Sequence, residues 1–294
     1  MAGNSTDQPT FLKRALSLLV FSNLWIAFGA FLWTLGTYFI FEFKINYLVP
    51  SFVGSATLFT YNFQRLVKLH LSARRISDRN RWIKERKPLI TLLTIVGGSA
   101  TFVLTFFLQA SAIWLLIPLG IISIGYALEF FPTKKKTVNL RSLPGTKIIL
   151  ISLTWSIATV LLPAITETSQ ILAEHYIFTL ERFLFVMAIT IPFDIRDLRY
   201  DKPRMKTLPQ VLGIKGSLWL ATFLLIGSSL LDFWLFAIGI FPLCVFFGLL
   251  GSYFTAILLV TFTNHHRPET YFTGLLDGLF AFQFALLFLF CFFN

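Results

Sequence analysis

Apolar residues fill this chain in long blocks, and short polar stretches separate them. A helix needs about 20 apolar residues to cross the hydrocarbon core of a bilayer. Nine blocks meet that length or come close to it: 15–41, 46–66, 88–109, 111–130, 147–164, 176–194, 216–234, 236–262 and 271–293. The connections alternate between long and short. Those after the second, fourth and sixth blocks are long and basic, whereas those after the third and seventh are almost absent and join helical hairpins. The expected fold class is an all-α integral membrane protein: a nine-helix bundle with a polar cavity facing the cytoplasm. A single membrane domain covers 1–294, with a tail at 1–14.

Composition removes the soluble alternative. Hydrophobic residues make up 56% of the chain, aromatic residues 17% and charged residues only 13%. That charged share is about half the share in a soluble domain. With a mean hydropathy of +0.74 there is too much apolar surface for a soluble fold to hide. The net charge of +11 would suit nucleic acid, but the basic residues lie in the loops between spans. Orientation in the bilayer and contact with anionic lipid head groups account for them, and no nucleic-acid partner is expected. Of the 25 Lys and Arg, all but Lys44 and Arg182 fall in the tail, in 67–87, 131–146, 195–215 and 263–270, or at the borders of these segments. Glu42, Glu167, Glu174 and Asp232 fall on the other side. The N-terminus is therefore expected in the cytoplasm and the C-terminus opposite. The first block is too long for a secretory signal and lacks a cleavage site. Cys244 and Cys291 lie in apolar runs and are expected to pack, without a disulfide or a metal.

One segment carries chemistry. Asp194-Ile-Arg-Asp-Leu-Arg-Tyr-Asp201 follows the sixth apolar block and sets Asp194, Asp197 and Asp201 at i, i+3 and i+7. On a helix these share one face. Acids at the mouth of a membrane helix are costly unless a cation sits there, and a hard ion with oxygen ligands, one Mg²⁺, is the natural candidate. Lys202, Arg204 and Lys206 follow and suit an anionic ligand.

The two halves of the chain look alike. The second block ends in Asn62-Phe-Gln-Arg65-Leu66, and the sixth in Asp194-Ile-Arg-Asp197-Leu198. Setting Asn62 against Asp194 brings Arg65 onto Asp197 and Leu66 onto Leu198. Two four-helix pseudo-repeats follow, 46–164 and 176–293, preceded by an extra first helix. Repeats of this kind enclose sites at their interface. The expected site lies near the cytoplasmic surface, between the second and sixth spans.

The run DIRDLRYDKPRMKTLPQVLG, 194–213, resembles the second aspartate-rich motif of the UbiA-type membrane prenyltransferases. Asn62 and the long loops after the second and sixth spans fit the same family. The resemblance implies an enzyme that binds an isoprenyl diphosphate through Mg²⁺ and ionises it. The allylic cation then alkylates a lipophilic acceptor, often an aromatic quinone precursor. On this basis Asp194, Asp197 and Asp201 are the expected catalytic metal ligands. Asn62, Arg65, Arg74, Arg75 and Lys206 are the expected substrate contacts.

The departures also have consequences. Where the family's first motif has aspartates four and eight residues after its Asn, this chain has Leu66 and His70. The basic stretch after Asp201 is shorter than the family's and lacks its glycine. A second metal ion thereby loses its ligands. Arg65 can supply part of the missing positive charge, since a guanidinium grips phosphate with two parallel hydrogen bonds. Alternatively it pairs with Asp194 or Asp197 and clasps two spans together in a catalytically inactive relative that binds a polyprenyl lipid or a membrane partner. A transporter is the third reading. Asp277 inside the ninth span and Glu129 at the end of the fourth are further candidates for the site. His70, His265 and His266 read as loop residues, and Glu181 and Arg182 as structural.

Overall fold

The computed structural model describes residues 11–71, 78–127, 131–133, 136–138, 146–198 and 206–292. They form twelve helices and one short hairpin. The helices are α1 (Phe11–Phe21), α2 (Leu24–Ile40), α3 (Leu48–Leu71), α4 (Asp78–Glu85), α5 (Lys87–Thr105) and α6 (Ala110–Ala127). After β1 (Phe131–Thr133) and β2 (Lys136–Val138) come α7 (Thr146–Ser156) and α8 (Leu162–Glu167), joined by a π-helical turn at Ile157–Leu161. The chain continues through α9 (Ala173–Asp197), α10 (Leu208–Ala237) and α11 (Leu243–Thr261). It ends in a π-helical Tyr271–Leu276 and α12 (Leu279–Phe292).

Among the described residues each of the nine apolar blocks contains helix, with a break between Ala237 and Leu243 in the eighth. By length and hydropathy, six of the described helices can cross a membrane, or seven if the bent pair α1–α2 counts as one span. The chain is a multi-pass membrane protein. Its helices close into a ring: α2 packs on α3, α3 on α5 and α6, α6 on α7, and α7 on α9. From there α9 packs on α10, α10 on α11, α11 on α12, and α12 back on α2. Large apolar side chains point outward, as a lipid-facing surface requires: Phe106, Trp114, Trp219 and Phe223 are all more than two-thirds exposed. Close helix contact uses glycine where backbones meet. A Cβ on Gly97 of α5 would lie 2.9 Å from the backbone nitrogen of Phe59 on α3, so no larger residue fits there.

Polar groups gather inside. Glu181 and Arg182 (α9), Ser228 and Asp232 (α10), Tyr253 (α11) and Gln283 (α12) are fully or almost fully buried. They form one network with Trp33 of α2. Arg182 Nη1 donates to Gln283 Oε1 at 2.6 Å, and its guanidinium carbon lies 3.9 Å from the centre of the Trp33 ring. Tyr253 is hydrogen-bonded to both Glu181 and Asp232. Five helices are thus tied together near the middle of the bundle, in line with a structural role for Glu181 and Arg182.

Three expectations change. The first block is two helices bent by 62°, not one, because Asn23 takes a left-handed conformation (φ 64°) between α1 and α2. The seventh helix begins earlier than hydropathy indicates, at Leu208, and breaks at Gly213, whose φ of 70° only glycine adopts readily. Cys244 and Cys291 are joined in a disulfide, with 5.0 Å between their Cα atoms, at the ends of α11 and α12 far from Asp194. Sequence separation hid the pairing, since the two cysteines are 47 positions apart at the two ends of a helical hairpin.

Candidate functional site

Asp194 and Asp197 occupy the last turn of α9, one helical turn apart, at the end of the bundle where α3 also ends and α7 begins. Asp194 is only 2% exposed and Asp197 17%. Burying two carboxylates so closely requires cations. Lys147, in the first turn of α7, supplies one. Its ammonium contacts Asp194 Oδ1 and lies 3.9 Å from Asp197 Oδ2. Arg196 supplies another. Its Nε donates to Asp197 Oδ1 at 2.8 Å, and its Nη1 donates to Glu269 Oε1 at 3.1 Å. The guanidinium sits beside the Phe193 and Phe272 rings, 5.1 and 5.4 Å from their centres.

The same Glu269 oxygen faces Arg79 Nη1 at 3.5 Å. Arg79 lies on α4, the short helix between α3 and α5, and is only 4% exposed. Burial pushes its guanidinium below the ordinary value, and Glu269 opposes that shift. Arg79 Nη2 donates to Asn23 Oδ1 at 2.6 Å. Asn23 Nδ2 in turn donates to Asn62 Oδ1 at 2.7 Å, and Asn62 Nδ2 donates to the Ser22 carbonyl at 3.0 Å. The result is a ladder of alternating groups: Asp194, Lys147, Asp197, Arg196, Glu269, Arg79, Asn23, Asn62. It links α9, α7, the segment before Tyr271, α4, the α1–α2 break and α3. The left-handed Asn23 that bends the first span is thus also a rung of the ladder.

Among the expected residues, the structure brings Asp194, Asp197 and Asn62 to this end. Asn62 engages both halves of its amide with Asn23 and Ser22, so it positions the α1–α2 break and, through Asn23, Arg79. Arg65 is partly buried on α3 and within electrostatic reach of Asp277, as are Arg79 and Arg196. Asp277 therefore belongs to the same cluster. Lys206 is exposed, with φ 44°, just before α10. Arg74, Arg75, Glu129 and Asp201 lie outside the described residues, as does the His70 side chain. His265 and His266 stack on each other in the loop after α11, with ring centres 3.9 Å apart. Lys147, Arg79, Arg196, Glu269 and Asn23 were not singled out from sequence. Signals existed for two of them: Arg196 lies within the acidic motif, and Lys147 opens a membrane span.

The expected Mg²⁺ can be tested against this donor set. A hard divalent ion needs several oxygens turned toward it in near-octahedral geometry. Here Asp194 Oδ1 faces an ammonium and Asp197 Oδ1 a guanidinium. A dication 4 Å from a retained monocation is repelled by about 8 kcal/mol at an effective dielectric constant of about 20. Leu66 offers no ligand at the position the first motif would use. Among the described residues no group of three or more His, Cys, Asp or Glu could hold a metal ion. The described residues do not fit Mg²⁺.

Comparison with known proteins gives the fold a name. No protein-family model matches the chain, and no curated protein matches it in sequence. Solved structures do match. An apo UbiA homologue from Aeropyrum pernix K1 superposes with a TM-score of 0.62 at 13% identity, covering 90% of this chain and 95% of that one. A UbiA homologue from Archaeoglobus fulgidus bound to GPP and Mg²⁺ matches with a TM-score of 0.61 at 14% identity, over 92% of this chain and 99% of that one. A digeranylgeranylglyceryl phosphate synthase structure matches with a TM-score of 0.57 at 16% identity, over 95% and 98% of the two chains. The chain has the fold of the UbiA-type membrane prenyltransferases.

Proposed function

We propose that this chain binds an isoprenyl diphosphate at the Asp194 end of its bundle and transfers the prenyl group to a lipophilic acceptor, an aromatic quinone precursor being one candidate. The observation that carries the reading is the ladder of buried cations and acids at that end of a UbiA-type fold. Solved neighbours with that fold are bound to GPP and DMAPP.

In this reading the allylic C–O bond breaks and the diphosphate leaves with the electron pair. Lys147, Arg79 and Arg196 hold the growing negative charge, and fixed donors aimed at developing charge are the strongest catalytic device available to such a site. Asp194 and Asp197 keep Lys147 and Arg196 in place. Arg65, Arg74, Arg75 and Lys206 are further contacts of the diphosphate in this reading. Aromatic faces stabilise an allylic cation. Trp155 lies eight residues beyond Lys147, about 12 Å along α7, and its ring stacks on Phe280 with centres 4.5 Å apart. The acceptor attacks the cation and loses a proton.

The proposal includes nine spans in a single domain, with two pseudo-repeats at 46–164 and 176–293 after an extra first helix. The pairing of α3 with α5 and of α9 with α10 in corresponding positions supports it. It also places the N-terminus and the ladder in the cytoplasm. The disulfide gives independent support, because disulfides persist in oxidising compartments, and Cys244–Cys291 sits at the opposite end of the bundle. After treatment of intact cells with a membrane-impermeant reductant, an impermeant maleimide should label both cysteines. Labelling only after permeabilisation would reverse the orientation.

Diphosphate release tests the reaction. Purified protein in lipid receives labelled farnesyl or geranylgeranyl diphosphate and an extract of host lipids. An Asp194→Asn, Asp197→Asn protein serves as control. Release above the control, with a labelled lipid product, is expected. Binding without release, across both donors and several extracts, would favour the second reading, a catalytically inactive relative that binds a polyprenyl lipid. Leu66 in place of an acid is the observation behind that second reading.

A further inference from the structure

The ladder is electrically balanced. Among the described residues, three carboxylates (Asp194, Asp197, Glu269) pair with three cations (Lys147, Arg196, Arg79). Among the described residues no surplus of negative charge is left to draw in a dication, as an all-acid cluster would. Hydrogen-bond donors are plentiful in its place.

Arg79 is the informative residue. It reaches from α4 into the ladder until it is 4% exposed, and it is not fully satisfied there. Nη2 has a short bond to Asn23, Nη1 reaches Glu269 only at 3.5 Å, and Nε is buried with no hydrogen-bond partner among the described residues. A buried donor without an acceptor is costly, and native proteins keep few of them without a role. Glu269 accepts from Arg79 and from Arg196 through the same oxygen, and its side chain is 23% exposed. It therefore occupies a point where two guanidinium groups converge, and it can move aside toward solvent. An oxygen that needs several donors and carries negative charge fits that point. Phosphate oxygens are of this kind, and the planar fork of an arginine matches them.

We infer that Arg79, Arg196 and Lys147 stand in for a divalent ion, so that the chain binds the diphosphate group of an isoprenyl diphosphate directly and without metal. This rests on the function proposed above. On binding, a phosphate oxygen takes the Arg79 and Arg196 donors that Glu269 holds, and Arg79 Nε gains its acceptor. No covalent bond changes. Arg79 is thereby a ligand-binding residue, delivered by α4 in the segment that follows the second span.

The test is binding of labelled geranylgeranyl diphosphate to the full chain in lipid nanodiscs, in EDTA and in Mg²⁺. The same affinity is expected in both. Arg79→Gln should weaken binding in EDTA by about tenfold or more, and Arg79→Lys should recover part of the loss by keeping the charge without the fork. Inorganic diphosphate should compete poorly, since it lacks the prenyl chain. If Arg79→Gln does not fold, the comparison of EDTA with Mg²⁺ on the unaltered protein still decides the matter. Binding that requires Mg²⁺ would overturn the inference and leave the proposed function standing. No binding in either buffer would overturn both. Displacement by inorganic diphosphate as effective as by farnesyl diphosphate would overturn the isoprenyl part.

Discussion

Arg182→Met should cost the protein about 3–5 kcal/mol of stability, the loss expected when one partner of a buried charge network is removed. Arg182 is fully buried among five helices. Its guanidinium faces Trp33 and Phe178, donates to Gln283, and has its Nε 3.6 Å from Glu181 Oε2. Two acids lie beside it. Tyr253 touches both Glu181 and Asp232 but has only one hydrogen to donate. Both bonds form only if one acid carries a proton, so the network holds one carboxylate, one carboxylic acid and one guanidinium and is neutral. Without Arg182 a carboxylate is left alone in the apolar interior. A thermal melt in detergent should show the unfolding temperature falling sharply. Adding Glu181→Gln to Arg182→Met should recover much of the loss, because neutral residues of similar volume replace buried ion pairs at little net cost. An unchanged melting temperature for Arg182→Met would refute the account. A double variant as unstable as the single would show that packing against Trp33, not charge, carries the effect.

The helices were legible because a bilayer imposes length and hydropathy on every span, and these are properties of local sequence. The acidic end of α9 was legible for a related reason: charges are rare beside an apolar block, so Asp194 and Asp197 stand out. Their partners were not. Lys147 is one of many basic residues that the inside-positive pattern already explains, and nothing in its neighbours marks it as the ion that meets Asp194. Arg79 was hidden in the same way, within a segment that contains six other arginines and lysines from Arg74 to Lys87. Only the folding of α4 back onto the α1–α2 break separates it from them. Asn23 was missed because a single Asn inside an apolar block reads as a tolerated polar residue. Its left-handed backbone, and so the bend, depends on Asn62 and Arg79 arriving from elsewhere. Cys244 and Cys291 were misjudged because each was weighed against its own apolar run, whereas their proximity is a property of the α11–α12 hairpin.

Lys147→Met should lower diphosphate release by about 100-fold or more, the scale on which losing one preorganised electrostatic group acts. Lys147 is 12% exposed and is the cation that pairs with both aspartates of α9. A structural clasp would also fail on this substitution, since Asp194 would be left 2% exposed with its ion pair broken. The two roles separate in the Lys147→Met, Asp194→Asn protein. It contains neither the ammonium nor the stranded carboxylate, so its melting temperature should return toward that of the unaltered chain. Its rate should not return, because the leaving diphosphate still lacks its cation. Restored release in the double variant would make Lys147 a clasp and shift the charge stabilisation to Arg79 and Arg196. A stable, inactive double variant would place Lys147 on the leaving group, since the repair of packing and charge would then be complete while the chemistry was still missing.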